Sequence, residues 1–194
     1  MTYETKGDLP IIPFATPESW QTWLAEHHAT SPGLWLKLAK KATGIPSITY
    51  DEALDSALCY GWIDGQKGSY DEQFWLQRFT PRRPKSKWSK RNREIVARLV
   101  EEGKMQPAGL REVELAQQDG RWQAAYDSQA NAAVPDDLQA MLDKNPKAQA
   151  FFNQLNSVNR YAILYRIHDA KRPETRARRI EKFVAMLNEH KKLY

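Results

Sequence analysis

The sequence contains only one cysteine, Cys59, and no apolar run long enough to cross a bilayer. A single cysteine excludes an intrachain disulfide, which suits a reducing compartment. The N-terminus is polar and lacks the basic and apolar regions of a signal peptide. We therefore expect a cytoplasmic protein that does not insert into a membrane.

Complete catalytic and metal-binding motifs are also lacking. The neighbouring residues His27 and His28 would point about 100° apart on a helix, and no Cys/His pair has zinc-ligand spacing. Gly61, Gly65 and Gly68 do not form a phosphate-binding glycine pattern, and there is no Gly-x-Ser-x-Gly nucleophile motif. We expect neither a metal nor a cofactor, and a binding protein is favoured over an enzyme.

Apolar periodicity predicts an α+β fold, in which a small antiparallel sheet with packed helices precedes a helical C-terminal unit. Alternating apolar residues over 34–38 predict a strand, and residues 62–66 and 74–79 predict a hairpin that Pro81 ends. Thr16, Thr49 and Ser89 are predicted helix caps.

Two domains are predicted. Residues 1–126 form an N-terminal α+β domain that includes a basic loop, and residues 134–194 form a helical C-terminal module. Small and polar residues over 127–133 are typical of a linker between them.

The positive charge of the chain is concentrated in residues 78–93. This segment holds eight Lys or Arg and no Asp or Glu, whereas the whole chain has a net charge of +5. Such a concentration favours an anionic partner, either a small molecule or an acidic protein surface. The candidate ligand-binding residues are Arg78, Arg82, Arg83, Lys85, Trp88, Ser89 and Arg91. Arg172, Arg176 and Arg179 could form a second basic face on the last helix.

The position of the basic segment strengthens this interpretation. Cations at the start of the helix capped by Ser89 oppose the helix dipole, and a bound anion would relieve that repulsion. Phe79 and Trp88 could act as stacking platforms, so nucleic acid is a possible partner, although no nucleic-acid-binding motif is present. The alternative is that acidic residues such as Glu112 and Glu114, together with Glu101, neutralise the segment.

Asp64 is the candidate catalytic residue. It lies in a predicted strand near Arg78, where a carboxylate could orient a ligand or act as an acid or base. An enzyme acting on a phosphorylated or carboxylated small molecule is therefore an alternative function. Asp64 could equally be a structural ion-pair partner or a turn residue.

Four stretches of the chain, residues 50–55, 59–66, 78–89 and 170–182, are similar to the YdeI/OmpD-associated family, also called bacteriocin-protection proteins. The resemblance extends from about residue 20 to residue 192, and it makes the C-terminal module a counterpart of that family's helical module. It implies a role in bacterial stress or bacteriocin protection and association with a porin. It implies no particular reaction and no catalytic residues.

Overall fold

The computed structural model describes residues 3–129 and 131–194, and within them the chain forms five strands and eight α-helices. The strands are β1 (Thr5–Lys6), β2 (Leu9–Pro13), β3 (Leu34–Ala39), β4 (Trp62–Ser69) and β5 (Phe74–Pro81). The helices are α1 (Pro17–His27), α2 (Tyr50–Cys59), α3 (Lys90–Glu101), α4 (Pro107–Gln118), α5 (Asp136–Asp143), α6 (Pro146–Gln154), α7 (Ser157–His168) and α8 (Pro173–Asn188). The α+β class is confirmed.

The strands form one mixed sheet in the order β1-β2-β3-β5-β4. The sheet was predicted to be antiparallel, but β2 and β3 pair in parallel, with Ile11 opposite Trp35. The reason is that α1 connects these two strands, and a helical crossover returns the chain in its original direction. The sequence signals for hairpins do not report such a pairing.

The predicted hairpin of β4 and β5 is confirmed and is longer than expected. Pro81 lies opposite Trp62 in the ladder, so pairing extends to Pro81 rather than ending before it. A register shift between Asp64 and Lys67 marks a β-bulge in β4. Gly65 and Gln66 are the residues without a ladder partner at this shift, so the Asp64-Gly65 pair lies within β4 and does not form the hairpin turn.

Helices pack against one face of the sheet. Trp20 of α1 and Trp62 of β4 are fully buried there, together with Phe79 of β5. Thr16 and Thr49 cap α1 and α2 through the predicted capping boxes, since each side chain accepts a hydrogen bond from a backbone N–H in the first helical turn. The predicted cap of α3 by Ser89 is confirmed as well.

Contacts divide the chain into two compact units, with the division between Ala125 and Tyr126. The second unit has its own core, which includes Leu138, Phe152, Ile163 and Phe183. The linker predicted at residues 127–133 stays a prediction. No helix in the part of the chain that the structure describes has the length and hydrophobicity needed to span a membrane.

Candidate anion-binding surface

The basic segment continues from the end of β5 through a defined loop into α3. We call residues 82–88 the basic loop. The backbone N–H of Arg82 donates to the carbonyl oxygen of Gly61 at 3.0 Å, which ties the start of the loop to the end of α2. A turn follows, in which the backbone N–H of Arg83 donates to Ser86 Oγ at 2.9 Å and the N–H of Ser86 donates to the Arg83 carbonyl at 2.8 Å. The loop therefore has a fixed backbone.

Two indole rings in contact, each with a guanidinium group over it, support the loop from inside. The Arg82 guanidinium lies 3.5 Å from the centre of the Trp88 ring, and Arg82 is only 7% exposed. Trp88 contacts Trp122 at 4.8 Å between ring centres, and the Arg93 guanidinium lies 5.2 Å from the Trp122 ring. Guanidinium groups over indole faces are favourable contacts, more so when water is excluded. Arg82 and Trp88 thus support the loop.

Arg83 and Lys85 project from the opposite, solvent-exposed side of this loop. Among residues 3–129 and 131–194, no acidic side chain forms an ion pair with either of them. Among the acidic residues of the alternative interpretation, Glu101, Glu112 and Glu114 form no ion pair with the segment within the same described residues, whereas Asp51 pairs with Arg91 at 2.8 Å. Arg83 and Lys85 are therefore cations available to an external anion.

Ser89 and Arg91 lie at the start of α3 and already have partners. The backbone N–H of Asn92 donates to Ser89 Oγ at 3.1 Å, so this hydroxyl serves as the helix cap. Arg91 donates to Asp51 at 2.8 Å, and both side chains are largely exposed. Exposed pairs of this kind contribute only about 0–1 kcal/mol, so Arg91 could exchange Asp51 for another anion.

Arg78 lies apart from the loop. It is on β5, where successive side chains point to opposite faces of the sheet. Phe79 faces the helices and is fully buried, whereas Arg78 lies on the other face, opposite Trp35 of β3 in the ladder. Its Nε atom is buried and has no hydrogen-bond partner among the described residues. Phe79 is therefore closed to a stacking ligand, and Arg78 lies on the sheet face opposite to Phe79.

Asp64 has a tyrosine partner. The hydroxyl of Tyr50, at the start of α2, donates to Asp64 Oδ2 at 2.9 Å. Burial raises the pKa of Tyr50 well above its ordinary range, and the negative charge of Asp64 raises it further. Arg78, the cation expected near Asp64, forms no ion pair with it among the described residues. Within the described residues, Asp64 therefore has a hydrogen-bond donor in Tyr50 and no ion-pair partner.

Two residues that support the loop were missed by the sequence reasoning. Trp122 completes the stack, and the Arg121 guanidinium donates to the carbonyl of Ser86 at 3.0 Å while pairing with Asp119 at 2.7 Å. They lie about thirty residues beyond the segment, just after α4. The local sequence here is Gly120-Arg121-Trp122, and this pattern does not indicate which loop Arg121 and Trp122 contact.

The second basic face predicted on α8 is partly neutralised. Arg176 forms a two-pronged pair with Asp137, at 2.5 and 2.9 Å, which lowers the pKa of that carboxyl. Arg179 donates to the carbonyl oxygen of Arg166 and lies 3.9 Å from Asp169. These contacts connect α8 to α5 and α7. Of the three predicted residues, Arg172 remains exposed at the start of α8.

Residues 12–112 match the family model described as Domain of unknown function (DUF8412). The chain belongs to this family. A second match, over residues 131–190, is to the family described as Bacteriocin-protection, YdeI or OmpD-Associated. This match confirms the resemblance found at residues 170–182, whereas the motifs between residues 50 and 89 fall within the first family. No curated protein and no solved structure matches the chain.

No group of three His, Cys, Asp or Glu residues that could hold a metal ion was found within residues 3–129 and 131–194. The basic loop itself offers the chemistry of its exposed cations. Arg83 offers a planar set of donors, and Lys85 offers a compact ammonium charge.

Proposed function

We propose that this protein, which carries a bacteriocin-protection-associated domain, is a binding protein that docks through its basic loop onto an acidic surface of a partner protein. The observation that carries the proposal is the pair Arg83 and Lys85. Both are exposed, and neither has an acidic partner among the described residues.

The rigidity of the loop supports binding. A loop that is already fixed loses little conformational entropy when it docks, so more of the contact energy appears as affinity. Here the Arg82–Trp88 contact and the turn from Arg83 to Ser86 hold the exposed cations in place. Exposed charges also accelerate association with an oppositely charged surface.

The surroundings of the loop favour an acidic protein surface over the other anionic partners. A nucleic acid would gain from exposed rings on which bases stack, but Phe79 is fully buried and Trp88 is 2% exposed. A small anion would gain from an enclosed site, whereas Arg83 and Lys85 face solvent. Carboxylates on a protein surface need neither feature. The porin association implied by the family name is one form that such a partner could take.

The test is charge reversal with a matched control. We expect Arg83→Glu/Lys85→Glu to weaken binding to poly-L-glutamate, used as a model acidic surface, by about tenfold, or about 1.4 kcal/mol. The salt dependence of binding should also become shallower. The control, Arg111→Glu/Lys182→Glu, makes the same change in net charge at two other exposed positions and should bind nearly as well as the wild type. Titration calorimetry at two salt concentrations measures both effects.

Equal weakening in the two double variants would mean that only net charge matters and would contradict the proposal. Much tighter binding of a single-stranded oligonucleotide than of poly-L-glutamate would favour the nucleic-acid alternative instead. Loss of folding should not confuse the result. Both loop residues are exposed, so their replacement leaves the core intact. Removing cations near the N-terminus of α3 also removes repulsion from the positive end of the helix dipole, so the variant should stay folded.

A further inference from the structure

A second basic feature lies at the hairpin end of the sheet, outside the basic loop. It is an open groove of about 660 Å³, lined by Lys40, Lys41, Lys67, Asp71, Phe74 and Trp75 among others. Cavities that bind small molecules usually measure about 300–1,000 Å³. The groove therefore has the size of a ligand site.

The three lysines give the groove a positive potential. Within the described residues, none of them forms an ion pair with an acidic side chain. Asp71 is the one acidic residue named in the lining, and its carboxylate accepts hydrogen bonds from the backbone N–H groups of Gln73 and Phe74 at 2.8 and 2.7 Å. These bonds hold the Asp71 carboxylate at the hairpin turn, and the three lysines outnumber this one negative charge. The ammonium groups repel one another, and an anion between them would relieve that repulsion.

The position of one ammonium group is fixed by the fold. Lys40 Nζ donates to the carbonyl oxygen of Asp71 at 2.9 Å, while the backbone N–H of Lys40 donates to the carbonyl of Gln73 at 2.8 Å. These two bonds hold Lys40 against the turn between β4 and β5. The donor is therefore held in the groove before any ligand arrives, which lowers the entropic cost of binding.

An aromatic wall adjoins the cations. Trp75 is half-buried, with one side against the core, and Lys67 Nζ lies 4.4 Å from the centre of its ring. Tyr50 lies on the core side, 6.3 Å from Trp75 between ring centres. An indole surface beside an ammonium group can accept a planar ring and an attached negative charge together.

We infer that this groove binds a small molecule in which a planar aromatic ring carries a phosphate group. A phosphate monoester has a charge of about −1.5 to −2 at neutral pH and three acceptor oxygens, which matches three ammonium donors. The ring would stack on Trp75 in the place that Lys67 Nζ takes at 4.4 Å from the indole centre, and the displaced ammonium group would contact the phosphate. This site is separate from the basic loop and does not depend on the function proposed for that loop.

The test uses three probes that separate the ring from the phosphate: adenosine 5′-monophosphate, adenosine and ribose 5-phosphate. We expect the first to bind at least about tenfold more tightly than either of the others, measured by titration calorimetry and by the thermal midpoint. Lys41→Ala/Lys67→Ala should weaken the binding of adenosine 5′-monophosphate by about tenfold or more. Trp75→Leu should weaken the binding of adenosine 5′-monophosphate but leave the binding of ribose 5-phosphate unchanged.

Arg111→Ala/Lys182→Ala is the matched control, because it removes the same charge from exposed positions outside both basic features. It should bind adenosine 5′-monophosphate like the wild type. Equal loss in the two double variants would overturn the inference, because it would show only a general charge effect. Wild-type protein that binds none of the three probes, or binds ribose 5-phosphate as tightly as adenosine 5′-monophosphate, would also overturn it. Lys41 and Lys67 are exposed, so both double variants should remain folded.

Discussion

At the residue scale, neighbours of the same charge have different roles. Arg82 is 7% exposed and lies over Trp88, whereas Arg83 is exposed and its side chain has no ion pair among the described residues. Arg82 is suited to its place because a planar guanidinium stacks on an indole face and a lysine ammonium does so less well. Counting charges along the segment therefore overstates how many are available for binding.

The single cysteine provides a prediction at this scale. Burial raises the pKa of Cys59 from 9.0 to about 11, and the charge of Asp55 adds to the effect. Because a raised pKa lowers the thiolate fraction at any pH below it, alkylation by iodoacetamide at pH 8 should be about a hundredfold slower than for an exposed thiol. The rate should rise as the pH approaches 11.

The same protein in urea is the control, because unfolding restores the ordinary pKa of the thiol. The rate of mass increase on alkylation measures Cys59 directly, since the chain has no other cysteine. Native protein that reacts as fast as the unfolded chain would show that Cys59 is not buried and that its pKa is not raised.

At the element scale, α4 contacts the end of α2 through a glycine. The backbone N–H of Gln106, just before α4, donates to the carbonyl oxygen of Cys59 at 3.1 Å. One turn later, a Cβ atom added at Gly109 would lie only 2.2 Å from that same oxygen. Backbone atoms cannot move away as a flexible side chain can. The close approach of these two helices therefore requires glycine at position 109.

We expect Gly109→Ala to destabilise the first unit by about 1–3 kcal/mol, although alanine is the better helix former. All seven tryptophans lie in this unit, so urea denaturation followed by tryptophan fluorescence measures its stability. Gly65→Ala is the control, because a Cβ atom there would have its nearest contacts at 3.8 Å. A Gly109→Ala protein as stable as the wild type would mean that α4 and α2 do not pack this closely.

At the scale of the whole molecule, the two family matches cover different parts of the chain. Residues 12–112 lie in the first compact unit and residues 131–190 lie in the second. The linker predicted at 127–133 falls mostly between the two matches. In the second unit, the Tyr161 hydroxyl donates to the carbonyl of Asp127 at 3.0 Å.

We predict that limited proteolysis first cuts within residues 127–133, because small and polar segments next to a boundary between compact units are preferred cleavage sites. A protease of broad specificity and mass spectrometry of the early fragments locate the first cut. Cleavage that starts instead within α3, whose Val96 and Leu99 are buried in the first core, would contradict this boundary.

The sequence by itself determined the α+β class, the helix starts and the predicted hairpin. These features depend on local chemistry: Thr16, Thr49 and Ser89 cap helices through bonds to residues three positions away, and the alternating leucines of β3 mark the strand face that enters the main core. The concentration of positive charge in residues 78–93 was equally plain, because charge needs no structure to be counted.

Only the tertiary structure decided which of those charges face solvent. Trp122 reaches Trp88 from beyond α4, and the parallel pairing of β2 with β3 depends on where α1 returns the chain. The groove of Lys40, Lys41 and Lys67 likewise joins residues from two separate stretches of the chain. Each of these contacts links positions far apart in sequence. Local pattern carries no information about such contacts, because their partners are selected by packing of the whole unit.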